Sequence, residues 1–100
     1  MANVYTIELR FEWDATKAAL NRTKHGIDFE DSAHIFKGPV LLKESPRSNE
    51  MRWQVIGRFE GRFFAVAYTI RDGHIRIISA RRARANEIRD YCSQVVIRTW

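Results

Sequence analysis

Two dipeptides, Glu60-Gly61 and Asp72-Gly73, constrain this chain more than any other feature, because each separates apolar runs that alternate with polar residues. An acidic residue followed by glycine suits a two-residue hairpin turn, and such a turn fixes the register of the strands it joins. The sequence therefore predicts strands over 51–59, 62–71 and 74–79, with Phe59 opposite Arg62 and Arg71 opposite His74. Carried along these registers, one face collects Trp53, Val55, Phe59, Phe64, Val66, Tyr68, Ile70, Ile75 and Ile77, which is a core face. The other is basic, with Arg52, Gln54, Arg58, Arg71, His74 and Arg76 beside Ile56, Phe63, Thr69 and Ile78. Arg52, Thr69 and Arg76 should lie abreast there, the outer two backbones about 10 Å apart, with Ala65 and Ala67 leaving room above the sheet for an extended polyanion. A helix is also expected to cover part of this face, because Phe63, Ile56 and Ile78 need burial.

The flanking segments have their own signals. Residues 4–13 alternate, placing Tyr5, Ile7, Leu9, Phe11 and Trp13 on one side of a half-buried strand. Asp14 stands where a helix N-cap should be, and Gly26 suits a left-handed C-cap, so a first helix runs over 14–25. Asp28 caps a second over 29–37, with Phe29, Ala33 and Phe36 as its apolar stripe, and Gly38-Pro39 ends it. A further short strand is expected near 40–43, before a polar loop over 44–50. After Ala80 the alternation ends. Ala85, Ile88, Cys92 and Val95/Val96 recur at helical spacing, which predicts a closing helix whose first turn is crowded by Arg81, Arg82 and Arg84 and whose other faces carry Arg82 and Arg89. The resulting fold class is α+β: one domain over 1–100 with an antiparallel sheet in βααβββα order.

At 100 residues, 45% apolar and 29% charged, the chain is sized and composed for one folded domain. It has no long apolar run of the kind that spans membranes and no signal-peptide pattern, so the expected location is the cytoplasm, with no membrane partner. A single cysteine, Cys92, rules out an internal disulfide. The net charge of +5 is uneven. Residues 1–50 carry 7 bases against 8 acids, whereas residues 51–100 carry 10 against 4, and all ten are arginines. Arginine presents a planar fork that matches phosphate, so this half of the chain points to a nucleic acid. A solvated basic surface or an anionic protein partner is the plainer alternative.

The blocks FEWD (11–14), KHGIDFEDSAHIF (24–36), IGRFEGR (56–62), VAYTIRDGHIRIISARRA (66–83) and EIRDY (87–91) resemble the BrnT family of bacterial type II toxins over about 11–91. That resemblance implies a RelE-like fold and a ribonuclease that cleaves RNA and inhibits translation. It also implies neutralisation by a cognate BrnA-like ribbon-helix-helix antitoxin, through which alone the complex would meet operator DNA. Two departures stand out. Ala15 occupies a position where family members often have proline, and the loop is shortened to SPRSNEMR, which keeps Arg47, Glu50 and Arg52 but lacks the family's histidine.

Three histidines at 25, 34 and 74 show no metal-ligand spacing, and the carboxylates do not cluster, so no metal or other cofactor is expected. RNA carries its own nucleophile, the 2′-hydroxyl. The protein must then accept one proton, donate another and stabilise phosphorane charge. The candidate catalytic residues are His25, Lys24, Arg58, Arg76, Arg81 and Glu12, with Arg52, Arg76, Arg81 and Arg82 binding RNA. His25 or Lys24 would move protons, Glu12 being the weaker candidate base. Each has a structural alternative: His25 as part of a helix cap, Glu12 as an ion-pair partner of Arg10 or of an arginine on a neighbouring strand. Tyr68 and Trp53 are expected to pack in the core. The main rival function is a catalytically inactive module that binds RNA or an antitoxin; sequence-specific DNA binding lacks a recognition-helix pattern.

Overall fold

The computed structural model describes residues 9–47 and 49–95. Its central feature is the meander foretold by the two turns. β3 (Trp53–Phe59), β4 (Arg62–Arg71) and β5 (His74–Arg82) pair antiparallel, with Phe59 opposite Arg62 and Arg71 opposite His74. Both central residues of each turn have positive φ: Glu60 at 50° and Gly61 at 74°, Asp72 at 50° and Gly73 at 77°. This geometry matches the right-handed twist of the flanking strands. β2 (Val40–Glu44) adds antiparallel to β3, and β1 (Phe11–Glu12) adds parallel to β5, giving the order β1-β5-β4-β3-β2. The expected short strand near 40–43 is thus present, and the otherwise antiparallel sheet carries one parallel pair. The part of the expected first strand at residues 4–8 lies outside the described residues.

Helices flank both faces. α1 (Ala15–His25) starts at Asp14, whose Oδ1 accepts from the Lys17 N–H at 2.9 Å, and stops at Gly26, whose φ of 69° needs no Cβ to be accommodated. α2 (Phe29–Ala33) is shorter than expected, because the chain tightens to a 3₁₀ turn over His34–Lys37 as Gly38 turns extended ahead of Pro39. Asp28 precedes α2 without capping it through its side chain; its carboxylate takes the Arg22 Nε–H instead. Phe29, Ala33 and Phe36 do face the core, joined by fully buried Ile35. Gly57 makes room for that residue: a Cβ added there would lie 2.7 Å from the Ile35 Cβ.

The core between these elements and the sheet contains Val55, Phe64, Val66, Tyr68 and Ile77, with Trp53, Phe59 and Ile75 at its margin. Phe11, Phe36, Tyr68 and Trp53 form an unbroken aromatic chain with centroid separations of 5.3, 5.3 and 5.7 Å. Tyr68 and Trp53 are packing residues, as expected. Ile70 is the exception on this face. It is 52% exposed, near the β4–β5 turn where no helix reaches it.

The largest correction concerns 78–84. β5 continues to Arg82 through a bulge: Tyr68 pairs with Ile77 and Ala67 with Ser79, leaving Ile78 without a partner. One extra residue reverses the alternation beyond it. Ala80 therefore enters the core, Arg81 faces the opposite side next to Ala65, and Arg82 faces the core side next to Phe64. Neither arginine belongs to the last helix. α3 (Ala85–Gln94) packs on the second face through Tyr91, against Ile56, Ala65 and Phe63, and the Tyr91 hydroxyl donates to the Pro39 carbonyl at 3.0 Å. The expected stripe is rotated, with Ala85 and Cys92 exposed, and Val96 lies outside the described residues.

Candidate functional site

α3 covers one half of the second sheet face; among the described residues no helix covers the other half, where Thr69 is buried beneath its neighbours. Glu12 pairs in register with Arg76, and Arg76 with Thr69, so the three lie in one row across β1, β5 and β4. The Glu12 Oε1 and Arg76 Nη1 are 3.4 Å apart, both side chains about a third exposed. The row continues into Arg52, which precedes Trp53, the partner of Tyr68. The Thr69 hydroxyl donates to the Met51 carbonyl at 2.8 Å, fastening this end of the loop to β4. Glu50 accepts the Arg52 Nε–H at 2.8 Å and lies 3.7 Å from the Arg71 guanidinium. Hydrogen bonding from Arg52 holds the Glu50 carboxyl below its usual pKa. Arg52 and Arg71 thus converge on one carboxylate from the same side of the sheet, which places Arg52 and Arg76 on a common face as the register required.

Arg81 lies along the same face but is committed elsewhere. Its Nη1 and Nη2 donate to the two oxygens of Glu87 at 2.7 and 2.9 Å, a bidentate pair between β5 and α3. Glu87 also accepts the Arg84 backbone N–H at 2.8 Å, satisfying a free donor at the start of α3. Hydrogen bonding from Arg81 depresses the Glu87 pKa more than partial burial raises it, and the same bond raises that of Arg81. A carboxylate with a depressed folded pKa stabilises the fold above its unfolded pKa, about 4.5 here, and that stabilisation disappears as pH falls through the folded value. Glu87→Gln should therefore cost about 1–2 kcal/mol near neutral pH. In urea titrations, the difference between wild type and variant should close in acid; a gap that is independent of pH would show that packing, not charge, sets it.

The remaining candidates are dispersed. Lys24 and His25, both exposed at the end of α1, line a shallow hollow with Ile78 and Ser79 at the outer edge of β5. None of the candidate arginines lines it. The hollow is nevertheless next to the row in one respect: Ser79 lies three residues beyond Arg76, roughly 10 Å along the strand. Arg58 stands at the far end of the second face, its guanidinium 5.7 Å from the Phe63 ring centre. Tyr91 and its Ile56–Ala65 floor lie between Arg58 and the open row. Arg82 is over the Phe64 ring at 5.8 Å on the opposite side of the sheet. The structure therefore brings Glu12, Arg76 and Arg52 together and separates Arg58 and Arg82 from them.

A cavity of about 300 Å³ opens between β2, β3 and α3, lined by Lys43, Gln54, Arg81, Arg84, Asn86 and Glu87 among others. Gln54 is opposite Ala67, two residues along the chain from Arg52 and Thr69 respectively, so the cavity adjoins the row. Lys43, Asn86 and Glu87 had no sequence-level assignment. Glu87 carries the one signal that would have found it: an acid three residues after Arg84, the residue that precedes α3, at the position that reaches back to a helix start. Among the described residues no helix is long and apolar enough to cross a membrane.

A comparison with curated proteins gave no match. A family model described as "Ribonuclease toxin, BrnT, of type II toxin-antitoxin system" matches residues 13–87, which spans α1, α2, the whole meander and the start of α3 with Glu87. This covers three quarters of the sequence, and the chain belongs to the BrnT family of ribonuclease toxins of type II toxin–antitoxin systems.

Proposed function

We propose that this protein is an endoribonuclease that cuts RNA without a metal ion and thereby inhibits translation. The observation that carries the reading is the placement of Glu12 against Arg76, both partly exposed, in one row with buried Thr69 and with Arg52, on the half of the sheet face that no described helix covers. A phosphodiester laid on this row meets two guanidinium groups already aimed at one face, which suits stabilisation of developing phosphorane charge. Glu12 accepts the proton of the RNA 2′-hydroxyl; the 2′-oxygen bonds to phosphorus as the bond to the 5′-oxygen breaks. Lys24 or His25, at the hollow beside Ser79, returns a proton to that departing oxygen. The products are a 2′,3′-cyclic phosphate and a 5′-hydroxyl. The partner in this reading is a cognate BrnA-like ribbon-helix-helix antitoxin that covers the arginine row, and operator DNA is met only through that complex.

The test is incubation of the purified protein, freed of any partner, with a long RNA in EDTA, followed by gel analysis and identification of the new ends. Fragments ending in 2′,3′-cyclic phosphate are expected. RNA that is bound yet intact would favour the inactive binding module instead.

A further inference from the structure

The cavity beside the row has the chemistry of a base pocket, and we infer that it holds one nucleobase of the bound RNA and sets which sequence is cut. The inference rests on the ribonuclease reading and extends it to substrate choice. Three observations carry it. First, the walls are polar but nearly balanced in charge: Lys43, Arg81 and Arg84 face Glu87 and Asp90. Two of these charges are already neutralised in the Arg81–Glu87 pair. What remains is a polar wall with few unpaired charges, which suits a neutral, hydrogen-bonding ring. Second, the side-chain amides of Gln54 and Asn86 line the cavity and make no hydrogen bond to any described residue. Each offers both a donor and an acceptor, the combination that reads a base edge in pairs. Third, Arg52, immediately before β3, and Gln54, the second residue of β3, are two residues apart in the chain, roughly 7 Å along the same face. That is the reach of about one nucleotide, so a phosphate on the row and a neighbouring base in the cavity can belong to one extended strand. Sequence-specific contacts to RNA are of this kind, made to single-stranded bases turned out of the stack.

The Arg81–Glu87 pair acquires a second role in this arrangement. By linking β5 to α3 it fixes the width of the cavity, which makes it a positioning pair and not a ligand.

The experiment uses short RNA oligomers of equal length with 2′-O-methyl groups, which lack the nucleophile and stay intact, so binding is read apart from cleavage. Each oligomer carries A, C, G or U at one position in an otherwise constant sequence, and affinity is followed by fluorescence anisotropy. At one position, wild type should favour one base by about tenfold over the least favoured. Gln54→Ala with Asn86→Ala should flatten that preference to about twofold or less. Gln54→Glu, which keeps size but removes the donor, should change the base order. Thermal unfolding of both variants within a few degrees of wild type shows that the cavity, not the fold, was altered. A preference that survives in the double variant, or equal binding of all oligomers by wild type, overturns the base pocket while leaving the ribonuclease reading intact. Failure of wild type to bind any oligomer removes both.

Discussion

Asn21→Ala should destabilise this protein by about 3 kcal/mol, the largest loss expected from any single truncation on α1. Asn21 is a buried polar residue whose amide performs the work of a missing strand. Among the described residues β1 pairs with β5 at Ile75 and Arg76, and none offers a backbone partner to the outer edge of β5 at Ala80. The Asn21 Nδ2 donates to the Ala80 carbonyl at 2.9 Å, and its Oδ1 accepts the Ala80 N–H at 3.1 Å. The same Nδ2 donates to the Ile27 carbonyl at 3.0 Å, which ties down the turn after α1. Ala80 is fully buried, so alanine at position 21 would strand a backbone donor and two acceptors away from water. Leaving a buried group unpaired costs on the order of 1–3 kcal/mol, and partial entry of solvent keeps the sum near the lower end. In a domain of this size the melting temperature should fall on the order of 15 °C. Leu20→Ala supplies the control, because Leu20 is 64% exposed one residue away, and its cost should stay within about 0.5 kcal/mol. Urea titration of both variants decides the matter; equal losses would mean that α1 as a whole, not the amide, supports β5.

Arg76→Ala should lower RNA cleavage about 100-fold while leaving the fold in place. Removal of one preorganised donor to a developing oxyanion costs on the order of 10²–10³ in rate in other enzymes. Arg76 is partly exposed and its ion pair with Glu12 is a surface pair worth less than about 1 kcal/mol, so stability should change little. The informative comparison is with Arg58→Ala and Arg82→Ala. Arg58 is cut off from the row by Tyr91 and Arg82 faces the other side of the sheet, so each should lose no more than a few-fold. Initial rates on one RNA, at one ionic strength, measure all three. Equal losses across the set would mean that the arginines act as a diffuse field and that the row has no special place. Glu12→Gln divides the possibilities further: a base at this position predicts loss of the rising limb of the pH–rate profile, whereas a residue that only orients Arg76 would leave its shape unchanged.

Much of this architecture was legible because it is written in local terms. Asp14 and Gly26 bound α1 through requirements confined to a few residues, a side-chain acceptor at one end and a left-handed backbone at the other. The alignment of Thr69 with Arg76 followed from the Asp72-Gly73 turn and alternation, whereas the choice of Arg76 over Arg10 as the partner of Glu12 came only with the placement of β1 beside β5. The distribution of the arginines over the surface did not. Seven of the eight candidate residues are charged groups whose meaning depends on what stands opposite them, and opposition is a property of the packed molecule. Arg81 reads in the sequence like its neighbour Arg82, yet one is held by both oxygens of Glu87 and the other lies over Phe64 on the reverse face.

The sequence by itself determined the meander and its register. Glu60-Gly61 and Asp72-Gly73 are the points at which the backbone adopts positive φ at two successive residues, and the pleat then assigns every side chain up to the next irregularity. The irregularity itself was decided by the tertiary structure. Ile78 is left unpaired where Ala80 is drawn into the core and bonded by Asn21. A slip of one residue carries no local signature in an arginine-rich segment, yet it inverts every face beyond it. For the same reason the rotation of α3, which buries Tyr91 and builds the cavity against Gln54, was settled only by the surface of the sheet it had to cover.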